Sequence, residues 1–318
     1  MRVLRADMAM EDALAVLARG GLVAIPTETV YGLAADATNG AAVARIFEAK
    51  GRPRFNPLIA HVGSFETAVE VAVFDPLSRR LAEAFWPGPL TLVLPRAAGC
   101  PVHELACAGL DTVAVRMPSG FGGDLARRYG RPLAAPSANS SGRISATSAE
   151  QVARDLGDRV DLIVDGGPTP VGVESTIVKA DAGRLVLLRP GGIPARQLEA
   201  AAGLPVQRAA PDRIEAPGML LSHYAPNARM RLDVDEVRPG EALLAFGPRR
   251  ARNADAAVSV RNLSPAGDVR EAATNLFAYM QGLDAAGPTA IAVEPVPPHG
   301  LGEAINDRLA RAAADRTE

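Results

Sequence analysis

The sequence predicts a mixed α/β fold: a twisted open sheet with helices, followed by a smaller α/β unit. Three observations predict it. Apolar strand-length runs alternate with stretches of helical periodicity. Several strands follow one another with no helix between them, which favours a mixed over a purely parallel sheet. The 318 residues suit about two domains, and composition shifts near Leu204.

Met10, Leu14 and Leu17 recur at helical spacing before Gly20 and Gly21. The strand 22–25 stops at Pro26 and runs into Thr27, Glu28, Thr29 and Tyr31. Asn39 can cap the next helix, whose buried stripe is Val43, Ile46 and Phe47. Gly51 is a plausible C′ residue, with Lys50 on the last turn. Residues 58–62 read as a strand carrying His61. Ser64 and Asp75 look like helix caps, the latter followed by Pro76.

The run WPGPLTLVLP gives a turn and a strand, and TVAVRMP a strand with Thr112, Ala114 and Arg116 on one face. A short strand from Leu133 breaks into PSANSSG. Ser148 with Gln151 forms a capping box. Strands follow at 162–164, 175–178 and 185–188, and Pro194 opens a helix. From Pro205 to Pro226 the chain reads as a loop. Beyond it come strands near 242–246, 258–260 and 289–293, with helices near 268–283 and 302–314. The domains expected are 1–204, a linker or lid at 205–238, and 239–318.

The formal charge of −2 argues against a protein basic all over; any contact with polyanions needs a local cluster. Cys100, His103 and Cys107 fit no zinc spacing and lack a fourth ligand, so they read as small buried or loop residues. No apolar run approaches a membrane span of about 20 residues. Asp7, Glu11 and Asp12 interrupt any signal-peptide core. We expect a soluble, cytoplasmic monomer. Lys50 and Lys179 are the only lysines among 34 basic residues. A lysine at position 50 in so arginine-rich a chain suggests a need for a compact ammonium.

Polar clusters gather where strands end: Thr27 to Tyr31, Arg52 to Asn56, Ser137 to Asn139, Ser175 with Thr176, and Arg189. In open α/β sheets ligands bind at such ends. Each has a plainer reading. Ser137–Asn139 is an ordinary turn sequence; Thr29 is a strand residue. Arg116 is an ion-pair partner, Lys50 a cation on a helix C-terminus, and His61 a satisfied core histidine. No GxxxxGK[ST] or GxGxxG occurs. A bound nucleotide would therefore need side-chain cations, hydroxyls and loop amides.

Together the motifs IPTETVYGL, KGRPRFNPL, PSANSSG, ESTIV and LRPG resemble the YrdC-like threonylcarbamoyl-AMP synthases. PGMLLSHYAP and GLGEAINDRLARAA are similar to the linker and C-terminal signatures of that family's long two-domain form. Before the HYAP element, where the family often has a basic or aromatic residue, this chain has Leu220, Leu221 and Ser222.

The resemblance implies a mixed sheet around a cationic crevice and a small Rossmann-like C-terminal domain. The activity it implies is a nucleotidyltransferase. L-threonine, bicarbonate and ATP give threonylcarbamoyl-adenylate and pyrophosphate, which serve N6-threonylcarbamoylation of tRNA adenosine 37. By motif position, threonine falls on Thr29, His61, Arg116, Ser137 and Ser175. ATP falls on Lys50, Arg52, Asn56, Thr112, Asn139, Thr147, Arg189 and Tyr224, with Lys50 and Arg52 catalytic. Mg2+ is expected with ATP and no protein metal ligand is assigned; a downstream tRNA-modifying transferase complex is the implied partner. Competing readings are a non-catalytic RNA-binding module and a carbamoyl transferase acting on other acceptors.

Overall fold

A computed structural model describes residues 1–181, 183–209, 215–219 and 222–315. Its contacts divide the chain into two compact units. The first comprises Met1–Ser141, Ala146–Pro170 and Glu174–Met219. The second comprises Gly142–Ser145, Val171–Val173 and the described residues from 222 onward. The segment 205–238 is thus shared: its first part belongs to one unit and its last part to the other. Leu220 and Leu221 lie outside the described residues.

Among the described residues the first unit is built on eleven strands: β1 Val3–Arg5, β2 Val23–Ile25, β3 Gly32–Asp36, β4 Ile59–His61, β5 Leu90–Pro95, β6 Thr112–Arg116, β7 Leu133–Ala134, β8 Leu162–Asp165, β9 Thr176–Asp181, β10 Arg184–Arg189 and β11 Val206–Arg208. Their order is β1-β8-β2-β3-β7-β4-β6-β5-β9-β10-β11. Pairing is mixed: β4 runs parallel to β6, β6 antiparallel to β5, β5 parallel to β9, and β9 antiparallel to β10. The expected mixed sheet is present. β11 falls where the sequence reads as a loop, and it pairs with β10.

The caps behave as their chemistry requires. Asn39 accepts from Ala41 N and Ala42 N at the head of the helix Gly40–Lys50, and Gly51 closes it in a left-handed conformation. Ser64 and Asp75 cap the helices Phe65–Val71 and Pro76–Phe85. Asn39 and Ser64 caps of this kind are each worth about 1 kcal/mol. His103 caps the four-residue helix Glu104–Cys107 through Nδ1, so it serves the backbone. Burial pushes the Cys107 thiol up to about 11, as for an inert core cysteine.

Among the described residues the second unit holds a four-stranded parallel sheet: β12 Arg229–Arg231, β13 Ala242–Ala245, β14 Val260–Asn262 and β15 Ala290–Val293, in the order β12-β15-β13-β14. The helices Val269–Asp284 and Gly302–Ala313 bury Leu276, Phe277, Ile305 and Leu309. Glu294 sits at the end of β15. Its two carboxylate oxygens accept from Phe246 N and Ala251 N at 2.8 and 2.6 Å, tying the turn after β13 to β15.

Candidate active site

Register decides which side chains share a face of the central strands. Ile59 and His61 of β4 pair with Ala114 and Arg116 of β6. Ala114 and Thr112 pair with Val93 and Pro95 of β5. Thr91 of β5 pairs with Ile177 of β9, which pairs across a bulge with Arg189 of β10. Alternation along each strand then puts His61, Thr112, Arg116, Thr91 and Arg189 on one face. The apolar residues between them, Ile59, Val93, Ala114, Ile177, Leu188 and Ala216, form a small buried cluster that floors it.

Thr112 and Arg116 stand four residues apart on β6, about 13 Å by strand rise. That spacing separates two ends of the face. Near Thr112 lies the loop leading into β4. Arg52 Nη2 donates to Asn56 Oδ1 at 2.7 Å and to Pro57 O at 2.8 Å, and Arg52 Nε to Asn56 O at 3.1 Å. The guanidinium thus shapes its own loop. Asn56 is 1% exposed, and among the described residues its Nδ2 has no hydrogen-bond partner.

At the other end are His61 and Arg116. His61 is 2% exposed and neither ring nitrogen has a hydrogen-bond partner among the described residues. Burial, then the neighbouring Arg116, hold its imidazole well below the usual histidine range, so the ring is neutral. Arg116 Nε donates to Gly88 O at 3.2 Å. Its Nη2 lies 2.7 Å from Glu28 Oε1 as an ion pair, yet neither atom has a hydrogen-bond partner among the described residues. The charges meet, but the N–H is not aimed at the oxygen. The plainer reading of Arg116, an ion-pair partner, is therefore correct as far as it goes.

Thr29 follows Glu28 in the chain and is fully buried. Thr27 Oγ1 donates to Val30 O at 2.6 Å, which uses its one proton. The 2.9 Å Thr27–Thr29 hydroxyl bond must then be donated by Thr29, whose oxygen keeps acceptor capacity. Ser175 Oγ bonds Thr91 Oγ1 at 2.8 Å and accepts from Arg189 Nη2 at 3.1 Å. Arg189 also donates to Ser175 O, through Nη2 at 3.0 Å and Nε at 3.2 Å, and to Pro217 O at 3.3 Å. The chain after Arg189 passes so close to 174–176 that a Cβ on Gly191 would stand 2.3 Å from Glu174 O.

Lys50 comes to the site from the end of its helix. It is 3% exposed and donates from Nζ to Ser137 O at 2.6 Å and to Asn139 O. Two of its three N–H groups are used, and one remains. Burial, and after it the Arg52 charge, hold the ammonium well below the usual lysine range. The turn 137–139 is zipped to the opening motif: Leu33 N donates to Pro136 O and Ala138 N to Tyr31 O. The hydroxyl of Tyr31 is held by Gly166 and Gly167, and burial pushes it up to about 12.

Thr147 N and Oγ1 both donate to Gln151 Oε1, at 2.6 and 3.1 Å. The expected capping box is therefore only half formed. Ser148 Oγ caps Gln151 N, but the Gln151 side chain turns to Thr147. Tyr224 belongs to the second unit. There it stacks on Phe277 at 5.5 Å, with Arg308 5.0 Å from its ring, and its φ is +62°. A non-glycine residue held in this region marks a constrained position.

Three participants carry no signal that singles them out in the sequence. Thr91 sits in an apolar strand and shows no motif. Gln151 reads as a cap. Glu28 lies in plain sight within the opening motif, but nothing in a carboxylate's type says which arginine it faces. A separate cavity of about 660 Å³, lined by Asp75, Leu77, Arg80 and Leu204 among others, contains none of the candidate residues.

A family model described as telomere recombination, Sua5_yciO_yrdC, matches residues 15–191. A second, described as threonylcarbamoyl-AMP synthase, C-terminal domain, matches 193–314. The chain is 42% identical over 320 residues to the threonylcarbamoyl-AMP synthase of Pyrococcus abyssi, covering 96% of this chain and 94% of that protein. This chain belongs to the threonylcarbamoyl-AMP synthase family. A second family member, from Bacillus subtilis, is 39% identical, with 98% of this chain and 94% of that protein covered. Among solved structures, P. abyssi Sua5 complexed with L-threonine superposes with a TM-score of 0.88 at 39% identity, over 98% of this chain and 97% of that one. Both domains of the threonylcarbamoyl-AMP synthase family are thus present.

Proposed function

We propose that this protein is an L-threonylcarbamoyladenylate synthase, joining L-threonine, bicarbonate and ATP into threonylcarbamoyl-adenylate with release of pyrophosphate. The observation that carries the reading is the shared face of β4, β6, β5 and β10. Its two ends are about 13 Å apart by strand rise, one offering Arg116 and His61 and the other Thr112 and the Arg52 loop. The two ends offer separate polar surroundings, one suited to an amino acid and the other to a nucleotide.

Arg116 is the fork for the amino-acid carboxylate. Thr29, as acceptor, and neutral His61 read the hydroxyl and amine. A site that pairs a substrate hydroxyl rejects analogues lacking it. The uncharged amine captures CO2 as a carbamate with loss of one N–H proton, or bicarbonate with loss of water; the carbamate oxygen then attacks the α-phosphorus, the α–β phosphoanhydride bond breaks and pyrophosphate leaves. Alignment and charge neutralisation carry this step. The remaining Lys50 N–H serves a phosphoryl oxygen, and the phosphates raise the ammonium's affinity for its proton, against the effect of burial. Arg52 and Arg189 supply further positive charge.

Mg2+ accompanies ATP. Among the described residues no cluster of three His, Cys, Asp or Glu could hold a metal. The neutral and cationic donors of the face suit an ion carried on phosphate oxygens and water. When bound, it neutralises phosphate charge. Tyr224, by family position, serves the nucleotide. The product is passed to a tRNA-modifying transferase. Among the described residues no helix is long and apolar enough to cross a membrane, and the enzyme works in the cytoplasm as a monomer.

The test is pyrophosphate release from ATP and bicarbonate, with L-threonine compared with L-serine and L-valine. L-threonine should lead, with threonylcarbamoyl-adenylate detected by mass. Release that is indifferent to the amino acid would refute the reading.

A further inference from the structure

We propose that Glu28 is the resident counter-ion of Arg116, a placeholder that the carboxylate of the incoming amino acid displaces. The inference rests on the functional reading above and adds a residue to it.

Two observations carry it. Glu28 Oε1 lies 2.7 Å from Arg116 Nη2, with the arginine side chain 4% and the carboxylate side chain 12% exposed, yet among the described residues neither atom makes a hydrogen bond. A buried guanidinium without a counter-charge is strongly disfavoured, so the ion pair is worth keeping while the face is empty. Its poor alignment leaves it weaker than the two parallel N–H···O bonds a free carboxylate makes on an arginine fork. Beside Arg116, in register on β4, His61 is buried with both ring nitrogens unpartnered among the described residues. A polar ligand at this end of the face therefore satisfies His61 and improves the bonding of Arg116 at once.

Once displaced, Glu28 is not stranded. Its other oxygen already accepts from Ser119 N at 3.3 Å, and the side chain is partly open to water. Exchange of one carboxylate for another keeps the charge of the site constant. A ligand that lacks a carboxylate cannot make the exchange and meets Arg116 still engaged. Glu28 thereby sets the affinity for free amino acids and leaves that for their amides untouched.

The experiment measures L-threonine and L-threoninamide binding by calorimetry, and ligand-induced thermal shifts, for the full-length wild type, Glu28→Gln and Glu28→Asp. Glu28→Gln removes the competitor. It should tighten L-threonine binding on the order of tenfold, because a buried ion pair is removed from the empty state alone, and leave L-threoninamide unchanged. The ligand-free variant should melt below the wild type, and L-threonine should close that gap. Glu28→Asp, whose shorter side chain withdraws from Arg116, should move the same way by less. Weakened or unchanged L-threonine binding in folded Glu28→Gln, or an equal change for both ligands, would overturn the proposal. Wild type that binds no L-threonine would overturn the functional reading, and this inference with it.

Discussion

His61 and Arg116 are register partners on adjacent parallel strands, so a buried imidazole stands beside a buried guanidinium on one face of the sheet. Burial first, and the positive neighbour second, depress the imidazole's proton affinity in the folded state. In the unfolded chain it titrates near the ordinary 6.5. The unfolded state therefore binds more protons below that pH, and the fold loses stability as pH falls through 6.5 towards the folded value. This one group sets a slope of up to about 1.4 kcal/mol per pH unit in that window. Denaturant unfolding between pH 7.5 and 5.5 should show a shallower fall for His61→Gln than for the wild type; equal slopes would assign the fall to other groups.

On the proposed function, Lys50 and Arg52 carry the charge neutralisation. Replacing either with alanine should lower turnover on the order of 10²-fold or more, as for loss of a transition-state charge stabiliser. Pyrophosphate release at saturating substrates checks this. Lys50→Arg should not restore the rate. The ammonium fits between the carbonyls of Ser137 and Asn139, and a planar guanidinium is a different shape there.

On the proposed function Thr147 serves the nucleotide, and Gln151 positions it. With Gln151→Leu, Thr147 loses the acceptor for both its N–H and its hydroxyl. A net loss of about 1–1.5 kcal/mol should appear as a roughly tenfold rise in the KM for ATP, with kcat within about threefold and the KM for L-threonine unmoved. Steady-state kinetics with each substrate varied in turn makes the comparison.

Phe277 is fully buried and stacks on Tyr224. Phe277→Ala should cost about 3–5 kcal/mol and release Tyr224 from its left-handed backbone. Denaturant unfolding should show the loss, and a variant as stable as the wild type would contradict the packing role.

The sequence is most legible where chemistry and local structure coincide. Asn39, Ser64 and Asp75 cap the helices that their side chains predict, and the motif residues 25–33, 50–58 and 136–139 lie where strands and helices end. It is least legible where tertiary packing overrides pattern. β3, Gly-Leu-Ala-Ala-Asp, is buried at all five positions and so shows no alternation. The helix Phe121–Tyr129 hides behind Gly122 and Gly123, poor helix formers. They are there because the backbone is crowded: a Cβ on Gly122 would lie 3.2 Å from Thr27 Cγ2, and one on Gly123 2.2 Å from Pro118 O. β11 is three residues amid prolines and exists only because β10 offers an edge. The partners of Arg116 and Thr147 are beyond reach for a related reason. Glu28 meets Arg116 from a distant part of the chain, and Gln151 satisfies a local rule that its side chain then disregards.

Ala216 fills the floor beneath the candidate site together with residues of β4, β5, β6, β9 and β10, although it lies past the point where composition shifts. Lys179 holds the same stretch through Glu215 at 2.5 Å, and Arg189 through Pro217. A chimera of two relatives spliced at position 204 would ask foreign sequence to complete that floor. A graft made after Met219 would carry the missing piece along with the half of the protein that depends on it.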